Sequence, residues 1–571
     1  MEKKHYAWPE SWPRTQNYPK RSIYYNLEQT VNRVPERIAL IFKGMELTYQ
    51  ELKMLADRFA SALVNLGLQK GDRVALHLIN CPQFAIAYFG MIKIGAVFTP
   101  LSPMLTPDEA ESQLNDCGAK VLVSLDLLYP GISSIIPKTQ VKTIITSSIV
   151  DCFTPITQIL SPLKRNDISD TLDMLQLLRD NEPHTDTVEI DVDSDLAHLA
   201  YTGGTTGRSK GVMLTHANVI ANVIQNGNTS SGGGILEEAE DGTWIRRFPE
   251  NADLQVMPLI PDKETVIAIA PWFHALGVIF FLNSPVFQGS TMVVLPRFDS
   301  KEFMDCIVKY QVTYIGGSPQ LYIPLINHPD FDAYDLTSIK YAGSGAAPLG
   351  TSLIQKLTDK FSIQCINEGY GLTECTGQAT MNPQNGAKAG SVGLPIFDTA
   401  IKVIDIQSRE ELPANEAGEI CIQGPQVMNG YYNNPEATAA VLKDGWLSTG
   451  DIGLIDDDGY LFITDRLKDM IIYKGYNVYP RELEEKIFKH PAVEDCAVVG
   501  KQDQNAGEIP VAFVKLIQGA EITNQELIDF VNTQVAAYKK IREVHIVGSL
   551  PVSGVGKILK RDLRNQLSST D

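Results

Sequence analysis

The sequence predicts a large α/β body with a small α+β domain appended at its C-terminal end. Through the first half, apolar residues at helical spacing alternate with short, continuously apolar runs, the pattern of a largely parallel sheet covered by helices. The second half reads similarly until about residue 465, where strand and turn signals dominate. Past Arg466 the pattern shifts again, to a final unit of 106 residues with its own helices and strands. A length of 571 residues suggests roughly three or four compact units, enough for real cores and a cleft between lobes.

The elements follow in order. LTYQELKMLADRFASALVNLGL carries Leu52, Leu55, Ala56, Phe59, Ala60 and Leu63 on one helical face and closes at Gly67, and RVALHLI follows as a strand. QFAIAYFGMIKIGA then VFTPLSP repeat the pair, and KVLVSLD and VKTIITS add strands. LAHLA reads as a strand, and LTHANVIANVI reads as a helix. AIKVIDI, GEICIQG and GYLFITDR are the later strands. Pro480 opens the helix RELEEKIFKH, NQELIDFVNTQV is a second helix, and DCAVVG, VAFVKLI and EVHIV are strands. Asp465–Asp469 is the expected joint, dividing the chain into 1–465 and 466–571. No short-period repeat is present, and the pattern leaves open whether the body holds two related sheets.

Composition bounds the function. The chain is 44% hydrophobic and 20% charged, with 49 Lys+Arg against 68 Asp+Glu and a formal charge of −19. That is an ordinary globular profile, and the acidity argues against a nucleic-acid partner, whose phosphates are gripped by Lys and Arg. It does not exclude a local basic site for an anion. The eight cysteines show no CxxC spacing, so reduced, mostly structural thiols are expected. The N-terminus lacks the apolar run of a secretion signal. Between Thr265 and Pro296 no charged residue occurs, but Pro271, His274, Asn283 and Pro285 break the run. Strand, loop and buried helix fit it better than a membrane span.

Four segments carry chemistry. Tyr201–Gly211, YTGGTTGRSKG, sits between strand and helix patterns. Its glycines permit φ > 0 and expose N–H groups to phosphate oxygens, its threonines add hydroxyls, and Lys210 adds charge. It does not match GxxxxGK[ST], and by composition alone a Gly/Thr surface turn stays open. Glu368–Glu374, EGYGLTE, offers the Tyr370 ring to a base, the Thr373 hydroxyl, and the Glu374 carboxylate to Mg²⁺, a hard cation. Alone it reads equally as a turn. Trp446–Asp451, WLSTGD, is followed by DRLKDMIIYKGYNVYP. An Asp at a strand end can accept both ribose hydroxyls, or can simply be a hairpin's surface Asp. Pro551–Lys557, PVSGVGK, presents Lys557 on a Gly-rich turn, although a lysine near a terminus is more often a solvated charge.

Taken together, in this order and at these separations, the four segments resemble the adenylate-forming superfamily of acyl-CoA synthetases, firefly luciferase and peptide-synthetase adenylation domains. The match runs from about residue 30 to 565. CIQGPQVMNGYYNNPEAT, GWLSTGDIG, KDMIIYKGYNVYPRELEE and PVSGVGKILKRDLR are most similar to bacterial fatty acyl-CoA ligases. The resemblance implies two related parallel-rich sheets with helices, a small β-rich subdomain, and a mobile C-terminal domain. It also implies ATP, Mg²⁺ and CoA as cofactor and co-substrates. Thr202, Gly203, Gly204, Thr205, Thr206, Gly207 and Lys210 are then expected to hold the β- and γ-phosphates, Glu374 with Thr202 to hold Mg²⁺, and Thr373 the α-phosphate. Tyr370 and Gly371, with Gly345 and Ala346, are expected around the adenine, and Asp451 and Arg466 at the ribose. Lys557 would bridge the carboxylate and the α-phosphorus, Lys468 would be the hinge, and Gly475 would line the passage of the thiol. His274 falls where relatives place a residue near the acid, with a satisfied core histidine as the alternative; Trp272 is a weaker candidate for a gate on an acyl tunnel.

A carboxylate is a poor acyl donor, so such enzymes first make an acyl-adenylate and release pyrophosphate, then pass the acyl group to CoA. AIAPWFHALGVIF holds no acidic residue to pair with an amino group. That favours medium- or long-chain fatty acids, ahead of alicyclic or aryl acids. The stretch from Asn226 to Pro261 looks some thirty residues longer than in relatives, the length of a functional or disordered loop. The rival classes are an adenylation enzyme loading a separate carrier protein, a non-catalytic binder of adenylate or acyl groups, and a luciferase-like oxidase. Retention of Lys210, Glu374, Asp451 and Lys557 argues against the binder. A cytoplasmic location is expected, with peripheral contact at the inner membrane as its variant, although no basic amphipathic helix is present.

Overall fold

Thr48 begins the first long helix, Tyr49–Asn65, with a capping box: its hydroxyl accepts from the Glu51 N–H, and the Glu51 carboxylate accepts from the Thr48 N–H. Leu52, Ala56, Phe59, Ala60 and Leu63 are buried as their spacing predicts, Leu55 is half-buried, and Gly67 takes the left-handed φ of +84° that ends the helix. The helix packs on Pro82–Lys93, which is buried on nearly every side; a Cβ at Gly90 would stand 2.7 Å from the Ala56 carbonyl oxygen. These are observations on a computed structural model. It describes residues 8, 13–153, 163–202, 209–240, 242–248, 259–345, 349, 351–384, 386–474, 476–503, 505–552 and 558–568.

The chain divides into two compact units, one of residues 7–400 and 423–447, the other of 1–6, 401–422 and 448–571. Among the described residues, the first unit holds two large sheets. One has seven strands in the order Leu172–Asp173, Thr143–Ser147, Val121–Leu125, Arg73–His77, Val97–Pro100, Leu196–Thr202 and Lys210–Thr215, parallel throughout except for the last pair. The other has nine strands. Its parallel centre is Asn367–Tyr370, Tyr341–Ser344, Tyr314–Gly317, Thr265–Ala268, Thr291–Val294 and Ile38–Phe42, flanked by antiparallel strands at both edges. The predicted α/β body with two similarly built sheets is what the structure contains.

The charge-free stretch 265–296 is a buried strand, a loop and a broken helix. It runs through Thr265–Ala268, an α segment Ala275–Val278, a π turn Ile279–Asn283, a second α segment Ser284–Gln288, and the strand Thr291–Val294. Among the described residues no helix is long and apolar enough to cross a membrane. Of the stretch Asn226–Pro261, Asn226–Ser230 completes the buried helix His216–Ser230, a hairpin of Ile235–Glu238 and Trp244–Arg247 follows, and residues 241 and 249–258 lie outside the described residues.

In the second unit, Ala400–Ile404, Gly418–Gln423, Trp446–Ile455 and Leu461–Arg466 supply the small β-rich sheet. The α+β part pairs Val493–Asp503 with Gly507–Leu516 antiparallel, and Glu543–Ile546 runs parallel to the latter. Helices Pro480–Ile487 and Asn524–Asn532 bury Leu483, Ile487, Leu527 and Val531 against that sheet, while Leu563 and Leu567 of Lys560–Ser568 join a separate apolar cluster with Val499 and Phe513.

Candidate active site

The first unit brings four predicted or neighbouring groups into one continuous cluster. Thr202 ends its strand directly opposite Lys210, the first residue of the antiparallel neighbour. Lys210 Nζ lies 4.8 Å from the centre of the Tyr431 ring, a cation held over an aromatic face. The Tyr431 hydroxyl donates to Glu374 Oε1 at 2.8 Å. Backbone pairing fixes this spacing: Tyr432 N–H donates to Gly211 O, Met213 N–H to Gly430 O, and Met428 N–H to Glu374 O, at 2.7–2.9 Å. Burial, and then the Glu374 charge, push the Tyr431 hydroxyl far up, so it stays a donor at every physiological pH.

The oxygens here suit a hard cation. Glu374 is half-buried and one of its oxygens is engaged by Tyr431, while Thr202, at the end of its strand, supplies a hydroxyl-bearing residue opposite Lys210. Among the described residues, no three His, Cys, Asp or Glu side chains group as a metal cage. A carboxylate and a hydroxyl fit the oxygen chemistry of Mg²⁺, which takes few protein ligands and completes its shell with phosphate oxygens and water.

Glycines open the carboxyl ends of the parallel strands, the usual ligand position in such sheets. Gly316 pairs with Gly343 and Gly317 with Ser344, and the Gly345 N–H donates to Gly317 O at 3.0 Å. A Cβ on Gly345 would meet Gly369 O at 3.6 Å and the Leu276 side chain at 4.0 Å, so this opening adjoins the helix that begins after His274. Tyr370 and Gly371 turn the chain out of the next strand, with Thr373 and Glu374 on the 3-10 turn that follows. A Cβ on Gly371 would lie 2.1 Å from Gly377 O, so only glycine lets the loop double back.

His274 is half-buried, and its Nδ1 accepts from the Leu276 N–H at 3.3 Å, capping the helix that lines the opening. Trp272, the weaker candidate, sits in the core. It is fully buried, Asn80 Oδ1 accepts from its backbone N–H at 2.8 Å, and its indole N–H donates to Phe281 O at 2.9 Å. Phe281 O is the carbonyl that residue 285 would serve in an unbroken α-helix, and Pro285 has no N–H to give. Asn283 Nδ2 likewise donates to Val278 O at 2.8 Å. These side-chain bonds stabilise the π turn, which places Phe281 3.0 Å from a Cβ on Gly316 and Phe280 2.8 Å from one on Gly377.

In the second unit, Asp451 and Arg466 face each other across paired strands, and Arg466 Nε donates to Asp451 Oδ1 at 2.6 Å. Asp451 is buried. Lys468 is exposed on the turn beyond them. That turn lies between two differently tuned carboxyls. Burial pushes Asp465 up to about 6. Asp469 is buried too, which alone would raise it, but Lys560 and Arg564 hold it below the usual carboxylate range; Arg564 Nη2 donates to its Oδ1 at 2.6 Å.

Gly203, Gly204, Thr205, Thr206, Gly207, Ala346, Gly475 and Lys557 lie outside the described residues. Tyr431, which joins Lys210 to Glu374, was not singled out by motif, although it sits in the family-like NGYY phrase. Its role depends on a fold that brings residues 210, 374 and 431 together.

A cation held over an aromatic ring, a carboxylate bonded to that ring's hydroxyl, and glycine-opened ends of a parallel sheet are the setting of an α/β enzyme that binds a phosphate-bearing ligand. The chain belongs to the AMP-binding enzyme family, the adenylate-forming superfamily of acid–thiol ligases. The family model for the AMP-binding enzyme matches residues 27–432, and that for the AMP-binding enzyme C-terminal domain matches 482–557. A long-chain-fatty-acid–CoA ligase of Bacillus subtilis (strain 168) is 37% identical over 566 residues, 97% of this chain and 96% of that one. 4-Coumarate–CoA ligase 1 of Solanum tuberosum is 34% identical over 528 residues, covering 91% and 89%. Among solved structures, ATP-bound MatB from Rhodopseudomonas palustris superposes with a TM-score of 0.82 at 28% identity, covering 96% of this chain and 99% of the other.

Proposed function

We propose that the protein is a fatty acyl-CoA synthetase. It activates a medium- or long-chain fatty acid with ATP to acyl-AMP and pyrophosphate, then transfers the acyl group to CoA. The observation that carries the substrate class is the uncharged helix over the strand ends, where Leu276, Phe280 and Phe281 stand against Gly345, Gly377 and Gly316 with no acidic residue from 265 to 296. Such a wall suits an apolar acid and offers an amino group nothing to pair with. The fatty-acid relative at 37% identity supports the same reading. An aryl acid is the second reading, favoured by the Phe281–Tyr314 ring stack, with centroids 5.6 Å apart, and by the 4-coumarate relatives.

In this scheme Thr202, the Gly/Thr loop and Lys210 hold the β- and γ-phosphates, and Tyr431 orients Glu374. Tyr370, Gly371, Gly345 and Ala346 hold the adenine, Thr373 the α-phosphate, and Asp451 with Arg466 the ribose. Mg²⁺, bound by Glu374 with Thr202, would neutralise charge on the phosphates. Lys557 serves adenylation by bridging the carboxylate and α-phosphate. Residues 466–571 then turn about Lys468, and Gly475 admits the thiol. Such rotation lets one site serve two steps. We place the reaction in the cytoplasm, where acyl chains can be met at the inner membrane surface. All eight cysteines are free thiols, as in a reducing compartment.

The test is a panel of straight-chain, alicyclic and aryl acids with ATP, Mg²⁺ and CoA, read as pyrophosphate release and CoA consumption. Best turnover on chains of medium to long length is expected. No turnover on any apolar acid would sink the substrate class, and pyrophosphate release without CoA consumption would point to a carrier protein as acceptor.

A further inference from the structure

The helix His216–Ser230 is unusual in carrying polar side chains that are almost all buried: Asn218, Asn222, Gln225, Asn226, Asn228, Thr229 and Ser230 are each at most 7% exposed. Buried amides are costly unless satisfied, so their partners show what the helix is for. Asn222, with no exposure, brackets the backbone of Gln378 in the Glu374 loop: its Oδ1 accepts from Gln378 N–H at 3.1 Å and its Nδ2 donates to Gln378 O at 2.9 Å. One turn earlier, on the same face, Asn218 Nδ2 donates to Pro425 O and Val427 O at 2.8 and 3.0 Å. That second segment supplies the Met428 N–H bond to Glu374 O and leads directly to Tyr431.

The two clamps thus seize the two chain segments that present Glu374 and its tyrosine. The helix bearing them starts immediately after the strand Lys210–Thr215, so the same rigid element is continuous with the lysine. The clamped loop is tight: Thr376 takes a φ of +66°, its hydroxyl donates to Gln426 O at 2.7 Å, and a Cβ on Gly377 would stand 3.3 Å from Asn222 Oδ1 and 2.8 Å from the Phe280 ring. A loop with such a backbone holds its shape only when its surroundings over-determine it.

We propose that Asn222 is a positioning residue: its amide clamp on Gln378 sets where Glu374 stands relative to Lys210, and so sets the affinity for the Mg²⁺–nucleotide. This rests on the reading of Glu374 as the Mg²⁺–ATP carboxylate. Asn222→Ala removes both bonds, and Asn222→Asp keeps the acceptor but sets a carboxylate against the Gln378 carbonyl. Both are expected to raise KM for Mg²⁺–ATP about tenfold and to weaken Mg²⁺–ATP binding, measured by calorimetry without acid or CoA, by the same factor, while KM for acid and CoA moves less than twofold. Excess Mg²⁺ should recover part of the loss. Gln378→Ala, which keeps the clamped backbone and loses only the Asn226 bond to Gln378 Oε1, should stay within twofold of the parent. Gly377→Ala, which pushes the loop from the side of Phe280, should reproduce the Asn222 effect if the Asn222 variants do not fold. Unchanged Mg²⁺–ATP binding in folded Asn222 variants, or a loss spread evenly over ATP, acid and CoA, overturns the proposal. A parent enzyme that binds no Mg²⁺–ATP would instead overturn the reading of Glu374.

Discussion

Tyr431→Phe removes one hydroxyl and leaves the ring beneath Lys210. The bond lost is the 2.8 Å donation to Glu374 Oε1 from a tyrosine only 7% exposed. A hydrogen bond to a charged group is worth about 1.5–3 kcal/mol. At about 1.4 kcal/mol per decade of rate, its full use in the transition state corresponds to roughly a 10- to 150-fold fall in kcat/KM for ATP. Stability should barely move. Glu374 is half-exposed and regains water, leaving a cost of about 1 kcal/mol. At about 2 cal/mol/K per residue over a unit of some 400 residues, that lowers the unfolding midpoint by only about 1–2 °C. The assay is pyrophosphate release against ATP at several Mg²⁺ concentrations, with the midpoint measured alongside. Because burial and Glu374 keep the hydroxyl protonated, the deficit should be constant from pH 7 to 9. A variant within twofold of the parent at limiting Mg²⁺, or a deficit that follows loss of fold, would refute the argument that Tyr431 fixes the carboxylate.

Three further outcomes follow from packing and burial. Gly393 has a φ of +92°, and a Cβ there would stand 2.0 Å from Met381 C, a backbone atom; Gly393→Ala should cost about 3–5 kcal/mol, seen as a midpoint several degrees lower. Trp272→Phe should destabilise by about 2–4 kcal/mol through lost volume and the orphaned Phe281 carbonyl, yet leave the ratio of turnover between short and long acids unchanged; an altered ratio would restore Trp272 as a gate. Burial holds His77, His198 and His216 down at about 4, about 3 and about 4. Their folded pKa lies below the unfolded one near 6.5, so the stability they confer is complete above pH 6.5 and is lost as pH falls toward 4. The slope is about 1.4 kcal/mol per pH unit for each, or about 4 for all three, between pH 6 and 5. Asp465, raised to about 6 in the other unit, gains stability over the same fall, so denaturant melts should show acid weakening of the first unit; a flat profile would refute neutral burial of the histidines.

Local structure was legible where neighbours in sequence decide it. The helix after Thr48 could be read from its cap, its i/i+4 face and Gly67, and the strands around it from short apolar runs. Thr202 with Lys210, Glu374, and Asp451 with Arg466 stand out in the sequence as short polar and Gly-rich runs, and the structure pairs Thr202 with Lys210 and Asp451 with Arg466. What escaped was set by distant partners. The place of Trp272 follows from Asn80, 192 residues earlier, and from a carbonyl freed by Pro285. Tyr431 gains meaning only beside residues 210 and 374. The polar face of His216–Ser230 defeats a periodicity argument, because its buried side is amide-rich rather than apolar. Asn283 and Pro285, read as interruptions, do end a regular α-helix, but only to build the π turn between two helical segments.

That π turn amounts to one residue more than a regular helix would hold, an offset of about 100° between the faces on either side of it. The segment before it faces the Gly345 opening, and the segment after it packs into the body with Phe287 and Gln288. Length and composition of the wall are therefore separate variables. Deleting a single residue between Ile279 and Asn283 would swing Phe280 and Phe281 away from Gly377 and Gly316 without changing any side chain that remains. A lineage with this fold can thus reshape that wall by a three-nucleotide deletion, a route that surveys limited to point substitutions would never sample.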